Sequence, residues 1–260
     1  MRTVVITGAA KGIGRAVAQL LHDTGWAVIA VDTDGYGLET LEADQSRVEV
    51  VVGDVVDPDT LREARERAEA LGTLTGWVNN AAILGLGPLH AVDSADIDKT
   101  LSVNLRAVLL GAQQAVQSFL ASRTPGAIVN LSSIHARAAF PDYAVYDTCK
   151  GGVEALTRYL CVEYGHLGIR CNAVAPGAVM TNIVRSLLDD AEDPIQLLAE
   201  LEALSPMKAM IAPEDIAEAV AFLLSDAARF VNGHVLAVDG GMAARSYAFP
   251  VNPGLGGSDL

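Results

Sequence analysis

Basic residues are scarce in this sequence. Its 260 residues include only four lysines, lysine and arginine together number 18 against 32 acidic residues, and the formal net charge is −14. A surface of that sign is poorly suited to phosphate backbones or anionic lipid headgroups, which argues against nucleic acid and membrane partners. Cysteine is equally sparse: Cys149, Cys161 and Cys171 are an odd number and form no CxxC pair. Small buried thiols in a reducing compartment are expected, and no disulfide framework. No apolar run reaches the ~18 residues of a membrane span, and "RTVVITGA" enters a strand and turn with no basic-then-apolar leader before it. The cytoplasm is the expected location. The five histidines, at positions 22, 90, 135, 166 and 234, share no ligand spacing, so no metal site is expected.

What the chain has in quantity is apolar surface, with 51% hydrophobic residues and 19% charged. Seven short β-branched runs stand out: "TVVIT" (3–7), "AVIAVD" (27–32), "VEVVVGD" (48–54), "GWVNNA" (76–81), "AIVNLSS" (127–133), "IRCNAVAPG" (169–177) and "HVLAVDG" (234–240). Several are apolar on both alternating faces, as in a parallel sheet covered by helices on each side. Helical patterns at 14–25, 59–72 and 103–121 lie between them. The alternation predicts an α/β fold with a doubly wound parallel seven-stranded sheet of Rossmann type, whose chemistry sits just after the strands. One catalytic domain over 1–246 is expected. Two segments break the rhythm: 182–211 reads as helices inserted before the last strand, and 247–260 is a Pro/Gly-rich tail.

Between the first strand and first helix stands "TGAAKGIG", with Gly8, Gly12 and Gly14 flanking Lys11 and Ile13. Glycines there let backbone approach a pyrophosphate at a helix N-terminus, which predicts a dinucleotide site. Asp32 ends the second strand, where a carboxylate accepts from ribose hydroxyls and repels a 2′-phosphate. No arginine follows it in "DTDG". NAD is therefore expected over NADP, although Lys11 pulls the other way.

Further motifs fall in register behind that turn: "NNAA" (79–82), Asn104 in "SVNL", "NLSS" (130–133), "YDTCK" (146–150) and "APG" (175–177). Together with the glycine turn, over residues 1 to about 242, the chain resembles the short-chain dehydrogenase/reductase family. The resemblance implies a catalytic set of Asn104, Ser133, Tyr146 and Lys150. Ser133 would bind the substrate oxygen, Tyr146 would exchange its proton, Lys150 would hold the nicotinamide ribose, and Asn104 would hold a water linking Lys150 to solvent. It also implies that Asp54 and Val55 flank the adenine and that Asn80 and Ala81 shape the cofactor groove. Pro176, Gly177, Val179 and Thr181 would border the nicotinamide end. Residues 182–211 would form a lid, and the chain would assemble as a homotetramer.

Residues i and i+4 share a helix face, so the Lys150 ammonium should lie near the Tyr146 phenol and, joined by the positive nicotinamide ring of NAD⁺, lower its pKa from the usual ~10. Asp147 follows the tyrosine where the family usually has a small residue, and is expected to turn outward. Ile83, His135, Arg137, Phe140 and Tyr143 are expected to line the substrate pocket, with Leu84 and Met180 adding apolar surface. His135 or Arg137 would orient a polar or anionic substrate group, unless both are merely structural. The implied activity is NAD-dependent hydride transfer between nicotinamide and a small-molecule secondary alcohol or ketone. A silent NAD-binding redox sensor and a dehydratase or epimerase on the same fold remain alternatives.

Overall fold

The computed structural model describes residues 1–43 and 46–245. Seven strands form one sheet in the order β3-β2-β1-β4-β5-β6-β7: β1 (Arg2–Thr7), β2 (Ala27–Asp32), β3 (Val48–Val52), β4 (Thr73–Asn79), β5 (Gly126–Leu131), β6 (Ile169–Pro176) and β7 (Val235–Val238). Every pairing is parallel. The chain winds outward from β1 to β3, then returns to lay β4 on the other side of β1. That reversal puts the topological switch point between the carboxyl ends of β1 and β4.

Nine α-helices connect the strands among the described residues: α1 (Gly12–Asp23), α2 (Gly35–Ala43), α3 (Pro58–Leu71), α4 (Ser94–Leu101), α5 (Ala107–Ser122), α6 (Ala144–Tyr164), α7 (Asn182–Asp189), α8 (Pro194–Ala203) and α9 (Pro213–Leu224). Alternate strand residues feed opposite cores, because successive side chains point to opposite faces. Val4, Ile6, Val28, Ala30 and Val129 pack with Val17, Leu21, Ile216 and Val220 of α1 and α9. Val5, Ile29, Val31, Trp77 and Ile128 pack with Leu61, Ala64, Ala115 and Phe119 of α3 and α5. Both faces of the sheet are thus dry, which explains the unbroken apolar runs in its strands.

Two sequence expectations are corrected. The fourth strand runs Thr73–Asn79, starting three residues before "GWVNNA" and ending two residues before its end, because Asn80 and Ala81 bond to Thr7 and leave the ladder. The helix expected at 103–121 is broken at its start: Ser102–Arg106 forms a π turn joining α4 to α5. The inserted segment carries α7 and α8, and a bridge between Val179 and Ile211 ties its two ends. Within that bridge the Met180 N–H donates to Ile211 O at 2.9 Å and the Ile211 N–H to Ala178 O at 3.0 Å. The tail at 247–260 lies outside the described residues.

Candidate active site

The turn after β1 is built by its glycines. Gly8 has φ +68° and Gly12 φ +57°, in the left-handed region. A side chain on Gly8 would meet Ala81 Cα at 2.8 Å, and one on Gly14 would collide with Gly8 O and with Asn80 Nδ2. Asn80 explains the crowding, since its Nδ2 donates to Thr7 O at 2.9 Å and Gly8 O at 3.0 Å. The N–H groups of Asn80 and Ala81 donate to Thr7 Oγ1 at 3.0 and 3.1 Å. Thr7, which motif reading passed over, therefore stitches the two loops across the switch point. Helix α1 opens here with Lys11 as N-cap, no side-chain cap and no acidic residue in its first turn. Its uncapped N–H groups and the cradle left by the missing Cβ atoms fit the pyrophosphate of a dinucleotide.

At the end of β2, Asp32 Oδ2 accepts from Ala10 N at 3.0 Å and Oδ1 from Asp34 N at 3.1 Å. The carboxylate expected to meet a ribose also anchors the glycine turn. Lys11, the contrary signal, pairs with Asp34 at 3.9 Å. Two carboxylates thus border this end of the groove, and the nearby cation is already engaged by one of them. Farther along the same edge, exposed Asp54 accepts from Val56 N at 3.0 Å and Val55 is buried.

The π turn explains how Asn104 reaches inward. Asn104 is fully buried; its Nδ2 donates to Ile83 O at 2.8 Å and its Oδ1 accepts from Ile83 N at 2.9 Å. It holds the loop after β4 through backbone, so Ile83 meets Asn104 through its main chain. A π turn inside a helix is a frequent mark of a functional position.

Ser133, Tyr146 and Lys150 converge where β5 ends and α6 begins. Lys150 is 3% exposed and its ammonium donates to Leu131 O at 2.7 Å, 5.3 Å from the centre of the Tyr146 ring. Burial pulls its pKa down to about 8, against a smaller upward pull from Cys149. Tyr146 is pushed up to about 12 by burial, with the Ser133 hydroxyl pulling down and Tyr143, Asp147 and Cys149 adding to the rise. In the protein alone the phenol thus lies above its ordinary value. Burial takes the phenol out of water, and the Lys150 ammonium is committed to the Leu131 carbonyl and lies over the ring.

The loop after β5 carries the expected substrate residues, but not in the expected way. His135 Nδ1 meets Asp147 Oδ1 at 2.7 Å, and Asp147 Oδ2 accepts from Phe140 N at 3.3 Å. Asp147 is only 16% exposed along its side chain, so its expected outward turn is corrected: two loop donors hold it inward. Arg137 pairs with buried Glu154 at 3.1 Å while staying 58% exposed, the arrangement of a structural pair. Phe140 and Tyr143 pack on the His135 ring, with centroids at 4.2 and 4.6 Å. Behind this loop lies a cleft of about 480 Å³, lined by Ile134, Ala138, Phe140, Leu204, Met242 and Arg245 among others. Leu204, Met242 and Arg245 were not foreseen. They come from two stretches of the chain far from this loop, and no local pattern brings them together.

After β6, Pro176 ends the strand and the Gly177 N–H donates to Val238 O at 3.0 Å. Val179 is buried at the bridge with Ile211. Thr181 lies opposite the glycine turn, 3.7 Å from where a Gly12 Cβ would be. The loop therefore meets the glycine turn at Gly12. The glycine turn, the Asn104 clasp and the Ser133–Tyr146–Lys150 cluster all lie beyond the carboxyl ends of the strands, around one groove.

A family model described as enoyl-(acyl carrier protein) reductase matches residues 8–243, and this protein belongs to the short-chain dehydrogenase/reductase family. Its relatives act on hydroxyl or carbonyl groups, and the family works with nicotinamide cofactors. Among them, a cis-4-hydroxycyclohexanecarboxylate dehydrogenase of Sinomonas cyclohexanicum is 40% identical over 248 residues, 94% of this chain and 97% of that one. A 3beta-hydroxysteroid dehydrogenase 1 of Eggerthella lenta is 37% identical over 256 residues, 93% of each chain. The crystal structure of a levodione reductase superposes with a TM-score of 0.89 at 36% identity, covering 95% of this chain and 98% of that one.

Proposed function

We propose that this protein is an NAD-dependent dehydrogenase of a secondary alcohol, with Tyr146 as its general base. The observation that carries the reading is the gathering of Ser133, Tyr146 and Lys150 beside a glycine turn whose ribose end is bordered by Asp32 and Asp34. NAD⁺ would accept a hydride from the carbinol carbon. Tyr146, as the phenolate, takes the hydroxyl proton, leaving a ketone and a neutral phenol. Ser133 donates to the substrate oxygen, where charge changes as the C–H bond breaks. Lys150, already buried as a cation next to the phenol, favours the phenolate and holds the nicotinamide ribose. Asn104 keeps the loop after β4 in register with that cluster. Bound NAD⁺ would supply a second positive charge near the phenol, which would favour the phenolate.

The carboxylates at the end of β2 support NAD over NADP, since a 2′-phosphate would meet like charge. Residues 182–211, tied at their base by the Val179–Ile211 bridge, act in this reading as a lid on the cleft. The reading also includes cytoplasmic residence and a homotetramer.

A panel of cyclic and acyclic secondary alcohols tested with NAD⁺ and NADP⁺ by NADH or NADPH absorbance is the decisive experiment. At least one alcohol should be oxidised, with NAD⁺ giving the larger kcat/KM. Tyr146→Phe should lower that kcat/KM roughly 10³-fold while leaving NAD⁺ affinity intact. No cofactor reduction with any alcohol, or clear preference for NADP⁺, counts against the proposal.

A further inference from the structure

His135 and Asp147 belong to different elements, the 3₁₀ turn after β5 and the first turn of α6. They meet at 2.7 Å with side chains only 17% and 16% exposed. The second oxygen of Asp147 takes the Phe140 N–H, so one carboxylate closes the loop at two points. The His135 ring is stacked on Phe140 and tilted against Tyr143, and it sets itself at right angles to Tyr146, 5.4 Å between centroids and 89° between planes. Its backbone N–H donates to Ser133 Oγ at 3.2 Å. One residue therefore touches both hydroxyl-bearing groups of the candidate site. A loop pair with a purely structural role, such as Arg137 with Glu154, makes no such contact.

We propose that His135 and Asp147 act as one positioning unit for the Tyr146 phenol: Asp147 anchors the imidazole, and His135 sets the Tyr146 ring and the Ser133 hydroxyl for proton exchange. This rests on Tyr146 being the acid–base group of the proposed reaction. The groups facing Tyr146 are Lys150, Asp147, Cys149 and Tyr143 from α6 and its start, and Ser133 and His135 from the loop after β5. The carboxylate in this set opposes phenolate formation, so the unit sets the pH of proton exchange as well as its geometry. An asparagine at 147 would keep an oxygen for the imidazole and discard the charge, which separates these two effects.

The test uses the whole protein, saturated with NAD⁺ and carrying ¹³C at the tyrosine Cζ position, so that phenol ionisation is read without a substrate. The resonance missing from Tyr146→Phe identifies Tyr146. Asp147→Asn should lower its titration midpoint by about half a pH unit or more, by removing a neighbouring anion. In oxidation of the alcohol found by screening, Asp147→Ala and His135→Ala should each lower kcat roughly tenfold with the KM for NAD⁺ unchanged. The double variant should lose no more than either single one, and Asp147→Asn should recover most of the rate. An unmoved midpoint in Asp147→Asn, or losses that multiply in the double variant, overturns the unit. Turnover retained by Tyr146→Phe overturns the reading of the site itself, and that result is obtained without touching either residue of the pair.

Discussion

Lys150 illustrates how a residue can be favourable for chemistry and unfavourable for folding. Its ammonium is 3% exposed, held by a single carbonyl oxygen at 2.7 Å, and its pKa falls from 10.5 to about 8 because burial penalises the charge. Between about pH 8 and pH 10.5 the unfolded chain binds a proton at this site that the folded chain does not. Stability contributed here therefore rises with pH across that window. Tyr146 works in the opposite sense, its raised value costing stability between pH 10 and about 12. Urea unfolding of Lys150→Met beside the parent isolates the lysine. The variant should be more stable near pH 7 by about 1–2 kcal/mol, less than the full desolvation penalty because Leu131 O loses its donor. Its advantage should shrink as the pH approaches 10. The residues legible in the sequence were those with a fixed partner one turn or one strand away. The direction of the Tyr146 shift was not, because desolvation depends on everything packed around the phenol.

Among the elements, the glycine turn and the π turn are set by contacts that no neighbouring residue announces. Gly14 lies in α1, where alanine would ordinarily favour the helix, yet its added methyl would collide with Gly8 O and Asn80 Nδ2. Gly14→Ala should therefore push the turn away from the loop after β4. Destabilisation of about 1–3 kcal/mol is expected from overpacking, with loss of NAD⁺ binding measurable by calorimetry. The glycine spacing was readable because a close phosphate approach needs those residues in that order. The π turn at Ser102–Arg106 was not, since "SVNLRAVLL" has no glycine or proline to mark a break in a helix. The clasp between Asn104 and Ile83, 21 residues apart, is what accompanies the extra residue in that turn.

Across the whole molecule, several exposed apolar residues lie on helices flanking the sheet. Leu109 and Leu120 on α5, Tyr159 and Val162 on α6 and Phe222 on α9 are 47%, 44%, 56%, 80% and 42% exposed. Among the described residues no helix is long and apolar enough to cross a membrane, so these faces do not form a span. They suit subunit contacts, since apolar patches on helix faces are common at association surfaces. Light scattering of the purified protein should give about four times the 27.1 kDa chain mass. Val162→Glu, at the most exposed of these positions, should shift the mass downward; a monomeric parent would reject the homotetramer.

Alternating strands and helices, both-face apolar patterning and the glycine spacing determined the sheet, its winding and the place of the glycine turn, because these depend on periodicities of two and of 3.6 residues and on steric limits of the backbone. The Tyr146–Lys150 pairing was readable for the same reason, both lying on one helix face. Only the tertiary structure decided that Asp147 turns inward to His135, that Arg137 belongs to Glu154, and that Leu204, Met242 and Arg245 line one cleft. Those outcomes depend on which loops meet across the ends of the strands, a distance in space that spacing along the chain does not encode.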